Sequence, residues 1–325
     1  MRAVLHLGYP KTGTTYLQRR LFPQAAKDFT VITPEFENCG INIKKTASQI
    51  EAGGISDEFR ERIMIRPLLL SSERYLFDAL RIYSHGRFAP TGFAQALEGL
   101  KSLCRDVPQD RIDIVVYLRR QDHLMHSLYA ESKVYHYDTV DALNTLEKYA
   151  EAVLTQADRS DQPGYFYDFA NTFNLLRAVF PKAAIHLRRY ENLVSEPDQE
   201  VEFWSDLCDF EFAHPTGAEN VRAAGEGSKR ADRKGIRIVV LRLKDRFFPE
   251  FKLPNSLSQF AERVLSAISF GNAEVIGMDV TLRERVRSHF AVLNRRFAAT
   301  GLVSSSVMST DYLDAAADPA RGDES

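Results

Sequence analysis

The chain has 325 residues, 44% of them hydrophobic, which is enough to bury a large core in one domain. Its 42 basic and 44 acidic residues leave a net charge of −2, which argues against bulk nucleic-acid binding while leaving room for a local anion pocket. Cys39, Cys104 and Cys208 are odd in number and widely spaced, so neither a disulfide framework nor a metal centre is expected.

Alternating apolar segments and helix-period segments run along the chain. Arg2 to Gly8 reads as a short buried strand. The run TTYLQRRLF then reads as a helix that stops near Pro23. Further strands are predicted over 29–33, 65–72, 111–120 and 183–190, with Pro67 weakening the third of the five as a central strand. Helical patterns cover 91–104, 121–133, 140–156, 168–179 and 198–208. The segment 211–228 reads as a long loop. Beyond it, 229–247, 257–268 and 281–297 read as helices, so the C-terminal part is mostly helical. Strands that alternate with helices predict an α/β fold with a parallel sheet covered on both faces. The expected organisation is one domain over 1–302 and a Ser-, Ala- and Asp-rich disordered tail over 303–325. No apolar leader and no stretch long enough to span a membrane is read, so a cytoplasmic location is expected.

The segment HLGYPKTGTTYLQ, His6 to Gln18, is the most informative stretch. A strand that ends in a glycine-containing turn and enters a helix is an anion cradle: backbone N–H groups point inward and the helix N-terminus adds positive potential. Gly13 lets the backbone approach a ligand, Lys11 adds a full charge, and Thr12, Thr14 and Thr15 offer hydroxyls. A nucleoside-triphosphate loop would place Gly-Lys-Ser/Thr at its end and would hold magnesium through an Asp at a later strand end. Here the lysine precedes the glycine, and the strand IVVYL runs into Arg119 and Arg120. A kinase or NTPase is therefore the weaker reading of the turn.

YPKTGTTYLQ resembles the 5′-phosphosulfate loop of sulfotransferases that use 3′-phosphoadenosine 5′-phosphosulfate (PAPS). That family carries a second hallmark, a strand-end Arg followed eight positions on by a Ser. YLRRQDHLMHS supplies Arg119 and Ser127 at that spacing. RRYENL, Arg188 to Leu193, is similar to a strand-end segment of many members. The resemblance covers about residues 1–193. It implies a P-loop-like sulfotransferase fold, a PAPS donor, and transfer of a sulfuryl group to a hydroxyl or amine of a carbohydrate or small metabolite without a metal. It also implies that Lys11, Thr12, Gly13, Thr14 and Thr15 hold the phosphosulfate, and that Arg119 and Ser127 hold the 3′-phosphate.

The general base is expected to be a carboxylate. Glu73, just past a strand end in LLLSSERYL, is the first candidate, and Glu35 and Glu37 in TPEFEN are its rivals. Glu73 also reads as a helix-capping residue. A P-loop kinase or NTPase and a non-catalytic nucleotide-binding scaffold remain alternatives. Strand direction supplies an independent expectation: if the first, third and fourth strands are parallel neighbours, Lys11, Ser71, Ser72, Glu73 and Arg119 open on one edge of the sheet.

Overall fold

The computed structural model describes residues 1–9, 11–34, 36–39, 55–72, 93–132, 145–155, 166–214, 277–304 and 307–314. Pro10, Glu35, Glu73, the predicted helices over 229–247 and 257–268, and most of the 211–228 loop lie outside them.

Five strands form one parallel sheet in the order β2-β3-β1-β4-β5. They are β1 (Ala3–His6), β2 (Thr30–Ile32), β3 (Leu68–Ser71), β4 (Ile112–Leu118) and β5 (Ala184–Arg189). β1 is the central strand. Its residues alternate between two cores, Ala3 and Leu5 on one face and Val4 on the other. β4 does the same, with Ile112, Ile114, Val116 and Leu118 on the first face and Val115 and Tyr117 on the second. Burial on both faces explains why these strands read as unbroken apolar runs rather than as alternating ones.

Helices cover both faces. The first face packs against α3 (Phe93–Leu103), α4 (Gln121–Ser132), α5 (Leu146–Thr155), α6 (Phe169–Val179) and α9 (Val280–Ala299). The second packs against the segment after β1 and against α8 (Pro197–Cys208). The segment after β1 starts as α1 (Thr14–Tyr16), widens into a π-helical turn (Leu17–Leu21) and tightens into a 3₁₀ stretch (Phe22–Lys27). The helix thus does not stop at Pro23. The proline sits in the first turn of the 3₁₀ stretch, where its missing N–H leaves no bond unmade.

Other differences from the sequence reading have equally local causes. Pro67 lies just before β3, and its carbonyl accepts the Thr30 amide at 2.8 Å, so β3 is an intact inner strand. A short helix α2 (Asp57–Ile63) was not anticipated; Ser56 caps it by accepting from the Phe59 amide, and Asp57 and Glu58 fill its first turn. β5 ends at Arg189, and Tyr190 begins another short helix, α7 (Tyr190–Ser195).

The expectation of a disordered tail from 303 does not hold for 307–314. There α10 (Thr310–Leu313) packs on α9, with Met308 and Tyr312 buried. Among the described residues no helix is long and apolar enough to cross a membrane.

One buried polar network links the second face to the strands. The Tyr117 hydroxyl donates to Glu200 Oε2 at 2.6 Å, and Trp204 Nε1 donates to the Tyr117 oxygen at 3.0 Å. Arg188 pairs with the same Glu200 carboxylate and stacks on the Phe203 ring, 4.2 Å from its centroid. Glu200 is thus the acceptor shared by Tyr117 and Arg188. Glu200→Ala is expected to cost about 3 kcal/mol, because it strands a buried hydroxyl and an arginine. Urea denaturation followed by Trp204 fluorescence reads this as a lower midpoint at unchanged slope. A loss below about 0.5 kcal/mol, the range of an ordinary surface change, would contradict it.

Candidate anion-binding site

The site grows from the carboxyl end of β1. Leu7 continues the pairing by donating to the Val115 carbonyl at 2.9 Å, and the chain then turns away from the sheet. Tyr9 anchors the turn from inside. It is buried, and its hydroxyl donates to the Phe166 carbonyl at 2.9 Å and lies 2.6 Å from Thr172 Oγ1 on α6. Burial pushes its phenol well above the ordinary range, so it stays protonated as a donor.

Two residues of the turn adopt left-handed backbone angles, Lys11 with φ 66° and Gly13 with φ 76°. For a lysine this conformation costs on the order of 1 kcal/mol, strain that the fixed surroundings must hold. Gly13 needs to be glycine for a second reason. A Cβ there would stand 2.5 Å from Leu193 Cδ2 and 3.4 Å from the Tyr190 ring, so α7 presses directly on the turn.

Gly13 also opens α1 with no side-chain cap. The first amide to bond back is that of Tyr16, to the Gly13 carbonyl at 3.0 Å. Among the described residues nothing accepts from the amides of Gly13, Thr14 and Thr15. Three adjacent N–H groups at a helix start form a ready-made anion cradle.

β4 lies beside β1, and Arg119 follows its last residue. Arg119 Nη1 donates to the Lys11 carbonyl at 2.8 Å, and its guanidinium stacks 4.7 Å above the Tyr190 ring. Its Nε, shut off from solvent, has no acceptor among the described residues. Arg120 takes a different course. Its guanidinium is bound by Asp122, at 2.8 and 3.0 Å, and lies 2.7 Å from His123 Nε2. Burial raises the Asp122 carboxyl, but hydrogen bonds from Arg120 outweigh it and hold the group below the usual carboxylate range. Of the two consecutive arginines, then, Arg119 bonds to the turn, while Asp122 on α4 holds Arg120.

Ser127 lies on α4, two turns beyond Arg119 and partly exposed, on the stripe that His123 shares at i,i+4 spacing. Lys11 and Thr15 are partly exposed as well. Thr12 and Thr14 are buried, and the Thr12 hydroxyl donates to the Tyr9 carbonyl. Thr12 therefore braces the turn with its side chain and has only its backbone to offer outward.

The carboxylates divide differently. Glu37 lies beyond the edge strand β2, and its carboxylate accepts the Cys39 amide at 3.0 Å. Ser72, whose amide donates to the His6 carbonyl at 3.0 Å, continues the β3–β1 pairing by one residue; Glu73 and Glu35 lie outside the described residues.

A buried polar group forms the floor. His6 Nδ1 lies 2.7 Å from Ser71 Oγ, and Gln18 Nε2 donates to the same oxygen at 3.1 Å. The His6 ring meets the edges or faces of Phe22, Tyr117 and Trp204 at 5.5 to 5.6 Å. Burial lowers its pKa to about 3, so it is neutral under ordinary conditions. His6 and Gln18 were not singled out from sequence, and Tyr190 only as part of the RRYENL segment. Their signal is the odd polar residue in an apolar strand and the aromatic that follows a strand end.

No family model and no curated protein sequence matches the chain. Among solved structures, a sulfotransferase from Alicyclobacillus acidocaldarius is similar over 81% of this chain and 99% of its own, at 15% identity and a TM-score of 0.37. A likeness that loose carries no argument, and the site is read on its own geometry.

Two outcomes follow. Gly13→Ala is expected to abolish anion binding at the turn, because the methyl group collides with Leu193 and forces the backbone from its left-handed angle. Titration with sulfate checks this, and wild-type affinity would contradict it. His6 also makes the fold acid-sensitive. Its folded pKa, about 3, lies below the ordinary 6.5, so between those values the unfolded chain binds a proton that the folded one does not. Its contribution is complete above the unfolded value and is lost as pH falls toward the folded one, at up to about 1.4 kcal/mol per pH unit. His6→Asn is expected to flatten the acid limb of the stability curve by that slope, as measured by urea denaturation at a series of pH values.

Proposed function

We propose that the chain is a sulfotransferase that takes its sulfuryl group from PAPS. The observation that supports this most is the cation at the end of β4. A magnesium–triphosphate site needs a carboxylate beside β1, whereas this chain puts Arg119 there, bonded to the turn that carries Lys11. That arrangement suits a ligand with anionic groups at two points and no metal between them. The unpaired amides of Gly13 to Thr15 and the acceptor-less Nε of Arg119 are donors that fit the two ends of such a nucleotide.

When bound, PAPS supplies an activated sulfuryl group on a good leaving group. In this reading Lys11 and the amides of residues 13–15 hold the 5′-phosphosulfate and stabilise charge that builds on the departing bridging oxygen. Arg119 and Ser127 hold the 3′-phosphate and fix the distance between donor and acceptor. Glu73, next after Ser72 in the chain, takes the proton from the acceptor hydroxyl or amine. The acceptor is a carbohydrate or small metabolite.

Lys11→Ala is expected to lower transfer by roughly 100-fold or more with the fold intact, since it removes a full charge from the developing anion. The companion measurement is thermal shift. Adenosine 3′,5′-bisphosphate is expected to raise the melting temperature, and Mg–ATP to leave it unchanged. Stabilisation by Mg–ATP alone would favour a kinase or NTPase, and full activity of Lys11→Ala would remove that residue from the chemistry.

A further inference from the structure

The C-terminal segment 307–314 reaches back across the molecule to the residues that flank Arg119. Its attachment is polar and directed. Arg189 Nη2 donates to Asp311 Oδ2 at 2.9 Å. The Tyr312 carbonyl accepts from Asn294 Nδ2 at 3.0 Å, and Asn294 is itself paired with Gln121 at the start of α4. Arg287 and Arg295 on α9 donate to the carbonyls of Asp314 and Leu313.

The Tyr312 side chain, 2% exposed, ends on Glu191. Its hydroxyl donates to Glu191 Oε2 at 2.8 Å, and the other oxygen of the same carboxylate accepts the Arg120 amide at 3.2 Å. Tyr190, the next residue back, carries the ring under the Arg119 guanidinium.

One carboxylate thus ties three places together: the β4–α4 junction that presents Arg119, the β5–α7 junction that stacks beneath it, and the C-terminal segment. We propose that Tyr312 is a positioning residue for the Arg119 end of the site, acting through Glu191 on the backbone of Arg120. A carboxylate held at both oxygens has one orientation, whereas one held at a single oxygen rotates about its terminal bond. Burial, with the Glu191 charge next in weight, keeps the Tyr312 phenol well above its ordinary pKa, so it remains a donor throughout the working range. Its ring packs on Phe169 and under Arg189 whether or not the hydroxyl is present.

The test is Tyr312→Phe in the full chain, with Glu191→Gln as the second variant and melting temperature as the control for folding. The first readout, hydrogen exchange of the Arg120 amide by NMR, needs no ligand. Its protection is expected to fall roughly fivefold or more, the equivalent of about one hydrogen bond. Unchanged protection overturns the proposal. The second readout, the dissociation constant for adenosine 3′,5′-bisphosphate, rests on the PAPS reading. It is expected to rise by a similar factor in each variant, with little further rise in the double variant, as members of one relay are not additive. Loss of protection with unchanged bisphosphate affinity also overturns the positioning role. If wild-type protein binds no bisphosphate while protection at Arg120 still falls in Tyr312→Phe, the PAPS reading fails and the relay stands.

Discussion

The hydrogen bond from Arg119 to the Lys11 carbonyl joins the ends of two neighbouring parallel strands. Parallel pairing is what makes it possible, because it brings the carboxyl ends of β1, β3 and β4 to the same edge. Residues more than a hundred positions apart thereby share one small space. The left-handed angle at Lys11 turns its carbonyl toward the arginine, and the bond in turn helps hold a lysine in a conformation that it would otherwise avoid. The strain and the contact are two sides of one arrangement.

The turn rests on a buried, closely packed floor. His6 meets Tyr117 and Trp204 edge to face directly below it; Glu200 accepts from the Tyr117 hydroxyl, whose oxygen accepts from Trp204 Nε1. Edge-to-face rings and charge-assisted hydrogen bonds both depend strongly on direction. A floor built from them fixes the base of the turn more tightly than aliphatic packing would. Above it, Tyr190 and Leu193 press on Gly13 from the other side. The anion cradle is thus preorganised by contacts below and above rather than by its own sequence alone.

Much of this was readable in the chain. The Val- and Ile-rich run of β4 and the turn residues Lys11 and Gly13 signal themselves through composition and spacing, and five strands fall where apolar runs predict them. The rest was hidden for physical reasons. Pro23 looks like a helix stop, but only an α-helix interior excludes proline, and the chain had already changed its winding there. The hydroxyl of Thr12 looks available for a ligand until the fold turns it inward. Residues 307–314 look like tail because the Ser-, Ala- and Asp-rich stretch around them hides their few large side chains, yet Met308 and Tyr312 are buried and hydrogen bonds from Arg189 and α9 hold the segment. Long-range partners such as Tyr312 and Glu191, 121 positions apart, leave no periodic trace.

The central claim is that the turn and Arg119 grip two different phosphates of one adenine nucleotide. Calorimetric titration of adenosine 3′,5′-bisphosphate against adenosine 5′-monophosphate, in wild-type protein and in Arg119→Ala, tests it most directly. The account predicts that wild-type protein prefers the bisphosphate by roughly tenfold or more, the equivalent of one charge-assisted contact, and that Arg119→Ala binds both nucleotides equally. Equal affinity in the wild type, or a preference that survives loss of Arg119, would contradict it.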